Sequence, residues 1–241
     1  PSRRADPSPP GPVNLPNALT VGRIAITPLV AVLPFFGSAT MRGLAFVLFL
    51  VAAVTDWVDG WLARRDNLIT DLGKLLDPLA DKLLLFGTFV PMYLLMRGER
   101  FVVPATLSVP EAGRFPALFT LWWVSLPLWV VLVVLGREAF MTAFRERAKR
   151  RGVVIAAIGP AKLKTIFQSI WVGAAYAWFF AASLAREQGW TSGWWTAFAQ
   201  FNGSVIVVSM TVATALTLWS LALYLQRYRF VLGAPARSAA R

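Results

Sequence analysis

Six aspartates fall within 26 residues of this 241-residue chain, which has only one other. They are Asp56, Asp59, Asp66, Asp71, Asp77 and Asp81. The spacing of Asp56 with Asp59, and of Asp77 with Asp81, puts each pair on one face of a helix. Four carboxylates brought together would repel one another unless a cation lay between them. The chain has no His and no Cys. That removes zinc sites of the Cys/His type, thiol nucleophiles and any Ser-His-Asp triad. A metal here must be held by oxygen. Carboxylate sites of this kind suit one or two magnesium or manganese ions, completed by water and substrate phosphates.

The residues around the acids fit an anionic substrate. Gly60 and Ala63 neighbour Asp56 and Asp59 on the helix surface and leave room for a bulky group. Arg64 can hold a diphosphate through paired hydrogen bonds. Gly73 either bends the linker or lets the backbone approach phosphate. Asp66 and Asp71 are read as interfacial charges.

The elements that position these residues are membrane helices. Hydrophobic residues make up 57% of the chain and charged residues 15%, where soluble domains carry about a quarter charged. A helix needs about 20 apolar residues to cross the hydrocarbon layer. Six blocks qualify: 18–36, 43–62, 79–96, 117–135, 163–184 and 203–225. The expected fold is an all-α membrane protein with six transmembrane helices. Asp56 and Asp59 end the second span, and Asp77 and Asp81 open the third. The linker between them is short, so these two spans should be direct antiparallel neighbours whose acidic ends meet.

The net charge of +12 has a side. With six spans and a cytoplasmic N-terminus, 19 of the 24 Lys and Arg fall on the cytoplasmic side. That is the positive-inside pattern, with both termini inside and the acidic cluster at the cytoplasmic end of spans two and three. The basic excess is thereby explained without nucleic acid. Residues 1–13, rich in Pro with Arg3 and Arg4, read as a disordered basic arm. The six-helix domain covers 14–228, and 229–241 form a short basic tail. Segment 136–151 continues the fourth span or lies at the interface as a helix. Gly159-Pro160 breaks the chain before span five. Asn17 is a candidate N-cap for the first span, and Asn14 before the short turn would serve as well. No cleavable signal or transit pattern is visible, which points to a bacterial plasma membrane.

The run Asp56-x2-Asp59-Gly60-x2-Ala63-Arg64-x8-Gly73-x3-Asp77-x3-Asp81 resembles the complete motif of the CDP-alcohol phosphotransferases, with no departure. The resemblance implies attack by the hydroxyl of a second alcohol on a CDP-linked alcohol, with CMP leaving. It implies two bound metal ions, Mg2+ or Mn2+. Asp56, Asp59 and Asp77 would be ligands, and Asp81 both a contributor to the metal site and the general base. Asp56, Asp59, Gly60, Ala63, Arg64, Gly73 and Asn17 would form the CDP site. A homodimer is also implied.

Looser motifs are similar to the phosphatidylglycerophosphate synthases within that family. They are Asn14 to Thr20 with Arg23, Gly136-Arg137-Glu138, and Gly152-Val153-Val154 through Lys162-Leu163-Lys164-Thr165. This implies CDP-diacylglycerol as donor and sn-glycerol 3-phosphate as acceptor. Arg137, Arg145, Lys162 and Lys164 are the cations available for the acceptor phosphate. Inositol phosphate or another alcohol is the alternative acceptor. A divalent-cation transporter is the alternative function, but it expects acids through the membrane depth and leaves Gly60, Ala63, Arg64 and Gly73 unexplained.

Overall fold

A computed structural model describes residues 15–65, 71–97, 115–117, 120–124, 126–156, 159–190 and 193–231. The expected Pro-rich arm and residues 232–241 of the expected tail lie outside these, as does Asp66. Helices dominate: α1 (Leu15–Val32), α2 (Ala39–Arg65), α3 (Asp71–Arg97), α4 (Leu128–Arg150), α5 (Gly159–Gln188) and α6 (Gly193–Arg227). Between α3 and α4 lies a short antiparallel pair, β1 (Phe115–Ala117) with β2 (Thr120–Val124).

Among the described residues, five helices are long and apolar enough to cross a membrane: α1 with its 3-10 extension, α2, α3, α5 and α6. Only 22–44% of each crossing window is buried in the protein. The outer faces carry exposed Leu29, Val47, Leu132, Phe201 and Trp219, the surface expected of an integral membrane protein rather than a soluble one. The expected fourth span, 117–135, is corrected. Its first part is in strands, and α4 begins only after Pro127, which stands at its N-cap. From Leu128 only eight apolar residues precede Gly136-Arg137-Glu138, too few to cross a bilayer. The charged segment that follows continues α4 without a break.

The chain forms two compact units. The first comprises Pro1–Gly113 with Tyr176–Thr191, and so contains α1, α2, α3 and the second half of α5. Its chain reversal after α1 uses a 3-10 turn, Leu33–Phe36, and Gly37 at φ 69°, a left-handed conformation that suits glycine. Ser38 then caps α2, its hydroxyl accepting from the Met41 amide at 3.2 Å. Glu187 accepts from the Ala39 amide at 2.7 Å, and buried Arg42 donates to the Pro34 carbonyl and the Ser183 hydroxyl. Phe49 stacks on Tyr176, whose hydroxyl donates to the Val30 carbonyl. Within this unit α1 packs against both α2 and α3. Among the described residues, α2 and α3 pack on α1 more than on each other. The acidic ends of the two helices meet all the same, since Asp56 of α2 and Asp81 of α3 share the Nη1 of Arg23.

The second unit comprises Arg114–Ala175 with Ser192–Arg241. Met141, Phe144 and Ala148 of α4 form its core with Tyr224 of α6 and Val231 of a 3-10 turn, Arg229–Val231. Arg147 and Arg151 donate to the Val231 carbonyl, tying that turn to α4 and the residue after it. Pro160 occupies the first turn of α5, where its missing N–H costs nothing.

Candidate active site

The first unit draws the four aspartates of the motif around one face of α1. That face carries Asn17, Thr20, Arg23, Thr27 and Val30, all buried. Their spacing of three to four residues makes one stripe down the helix. Arg23 is 2% exposed, and its guanidinium donates to Asp56 and Asp59 of α2 and, at 3.0 Å, to Asp81 of α3. Thr20 donates to Asp77 of α3 at 2.8 Å and lies 3.3 Å from Asp59. Two residues of α1 thus reach all four acids. An arginine is suited to this, since its planar head offers donors in several directions at once.

Helix approach explains why this geometry holds. Thr27 turns its hydroxyl back to the Arg23 carbonyl at 2.8 Å. Its methyl faces Gly87 of α3, where a Cβ would meet it at 2.9 Å. No side chain other than hydrogen fits there, so Gly87 lets α3 close on α1 just beyond the acids.

The four acids differ in access. The Asp59 side chain is 7% exposed, whereas those of Asp56 and Asp81 are 49% and 62% exposed. Asp77 is also exposed. A ligand can therefore reach three of the four. Gly73 lies in the first turn of α3 and is buried, so it sits in a helix rather than bending a linker. Gly60, Ala63 and Arg64 lie in the last two turns of α2, and Asn17 in the first turn of α1.

The donor set fits a hard divalent cation, since the four acids and the Thr20 hydroxyl offer oxygen atoms. Among the described residues, no three acids are close enough together to hold a metal ion as they stand. The Arg23 head lies among them and supplies the cationic charge.

The second unit holds a separate polar cluster. Of the four cations expected for an acceptor phosphate, Arg137 and Lys164 are buried and share one partner, the Oε1 atom of Glu138. Arg145 and Lys162 are exposed instead. Arg137 also donates to Ser220 at 3.3 Å, and its guanidinium lies 5.9 Å over the Tyr224 ring. Burial pushes the Glu138 carboxyl up, but Lys164 and Arg137 outweigh it and hold the group below its ordinary 4.5. Glu138 is therefore ionised at neutral pH.

Sequence reasoning passed over the parts played by Thr20, Arg23 and Glu138. Arg23 counted as an orientation charge and as part of a looser motif. The available signal was a polar stripe at helical spacing on an otherwise apolar span, which lipid would not tolerate outward.

The model of the family described as CDP-alcohol phosphatidyltransferase matches residues 13–219. The chain is 31% identical over 220 residues to the CDP-diacylglycerol–glycerol-3-phosphate 3-phosphatidyltransferase of Salmonella choleraesuis, covering 90% of this chain and 95% of the relative. It is 34% identical to the protein of that name from Escherichia coli K12, with the same coverage. With the Bacillus subtilis protein of that name it shares 35% over 173 residues, 67% of this chain and 75% of the relative. The motif, the helical build and these matches agree: the chain belongs to the CDP-alcohol phosphatidyltransferase family and is a transferase enzyme.

Proposed function

We propose that this protein transfers the phosphatidyl group of CDP-diacylglycerol to sn-glycerol 3-phosphate, giving phosphatidylglycerophosphate and CMP. The observation that carries this reading is the convergence of Asp56, Asp59, Asp77 and Asp81 on Arg23 and Thr20. The relatives' names supply the donor and acceptor. The family generally uses divalent metals. In this reading Asp56, Asp59, Asp77 and Asp81 hold Mg2+ or Mn2+, two ions in all. Bound there, the ions would neutralise diphosphate charge and ease the departure of CMP.

The chain's own residues do the rest. Asn17, Gly60, Ala63, Arg64 and Gly73 line the CDP site, the small residues giving room and Arg64 pairing with phosphate oxygens. Asp81, the most exposed of the three acids bound to Arg23, takes the proton from the acceptor hydroxyl as it attacks phosphorus. Arg137 and Lys164 hold the acceptor's phosphate. The acids face the cytoplasm of a bacterial plasma membrane, and the protein works as a homodimer. The basic residues Arg64, Arg65, Lys74 and Lys82 that flank the acids in sequence support that side.

Purified protein in lipid is given CDP-diacylglycerol with one acceptor at a time: glycerol phosphate, inositol phosphate, inositol or serine. CMP and lipid product are expected with glycerol phosphate alone. Product with inositol phosphate alone would overturn the acceptor.

A further inference from the structure

The Arg137–Glu138–Lys164 cluster is asymmetric. The two cationic side chains are 5% and 4% exposed, while that of their shared carboxylate is 26% exposed. The cations are walled in, and the anion has a way out. Both cations bind the same carboxylate oxygen. Arg137 also keeps a buried Nε–H with no partner among the described residues. Gln168, one turn beyond Lys164 on the same face of α5, is 6% exposed and keeps a buried amide nitrogen with no partner among the described residues. Buried donors are normally satisfied, and a carboxylate on one oxygen does not satisfy these. A phosphate monoester offers three charged oxygens.

We infer that Glu138 is an internal stand-in for a phosphate group: its carboxylate occupies Arg137 and Lys164 until a phosphate-bearing ligand displaces it. This rests on the reading that these two cations receive the acceptor's phosphate. Glu138 is then a specificity-determining residue. Binding at this site is an exchange of anions, so a neutral polyol, which cannot replace the negative charge, gains nothing there. Displacement also lowers apparent affinity for the phosphate ligand by the fraction of sites that Glu138 leaves open.

The test uses the full-length protein in lipid nanodiscs, with Glu138→Gln and Glu138→Asp. Inorganic phosphate is titrated against thermal unfolding to obtain its dissociation constant, and KM is measured for glycerol phosphate and for CDP-diacylglycerol. Glu138→Gln keeps the side chain's size but removes its charge. It should bind phosphate about five- to tenfold more tightly, as expected if the site is closed roughly nine-tenths of the time. KM for glycerol phosphate should fall in step, and KM for CDP-diacylglycerol should not. Glu138→Asp, whose shorter arm bridges the two cations less well, should show a smaller change of the same sign. It carries the test if the Gln variant does not fold. Unchanged or weaker phosphate binding in the folded variant overturns the inference. Tighter phosphate binding without any product from glycerol phosphate keeps the role of Glu138 and overturns the acceptor instead.

Discussion

Arg23→Met removes the cation that joins three of the acids while keeping most of the side-chain bulk. Breaking a buried ion pair by deleting one partner costs about 3–5 kcal/mol, because the other charge is left stranded. Only Asp59 is stranded in that sense. Asp56 and Asp81 are half or more exposed and are partly rehydrated, which reduces their share. A loss of about 2–4 kcal/mol is the reasoned outcome in chelator. For a chain of this size that is a fall of roughly 4–16 °C in melting temperature. The proposed divalent ions would neutralise the same carboxylates, so millimolar Mg2+ or Mn2+ should recover most of the loss. Ordinary protein, which carries its own cation, should gain less from the metal. The assay is thermal unfolding of both proteins in lipid, in chelator and in metal. Equal melting temperatures in chelator would show that the guanidinium is not what holds the acids. A deficit that metal leaves untouched would show that Arg23 and the metal do not share ligands.

Three further outcomes follow from the same geometry. Asp81→Asn should keep the fold and CDP-lipid binding while turnover falls by about a hundredfold or more, the scale of a lost general base; near-normal turnover would remove that role. Excess chelator should stop CMP release and added Mg2+ or Mn2+ should restore it, so activity that survives chelation would argue against metal held by the aspartates. Gly87→Ala places a Cβ 2.9 Å from the Thr27 methyl. The overpacking costs about 1–3 kcal/mol against a gain of up to about 1 kcal/mol in helix propensity, so melting temperature and activity should both fall. A rise in melting temperature would mean that α1 and α3 separate at that point without penalty.

The sequence by itself determined the membrane helices and the four acids. Apolar length and the three- or four-residue spacing of Asp56 with Asp59 and Asp77 with Asp81 are local properties, readable without knowing what packs on what. The same local reading misjudged 117–135, because apolar composition does not separate a strand pair ending at Val124 from a helix. What the acids meet was decided only by tertiary structure. Arg23 lies 33 to 58 residues from its partners, and no periodicity links positions so far apart. Packing of α1 against both α2 and α3, with Gly87 permitting close approach, turned an orientation charge into the centre of the cluster. Burial likewise separated Arg137 and Lys164 from Arg145 and Lys162, four cations that composition treats alike. Desolvation and partner choice depend on neighbours brought together by the fold, so these distinctions exist only in three dimensions.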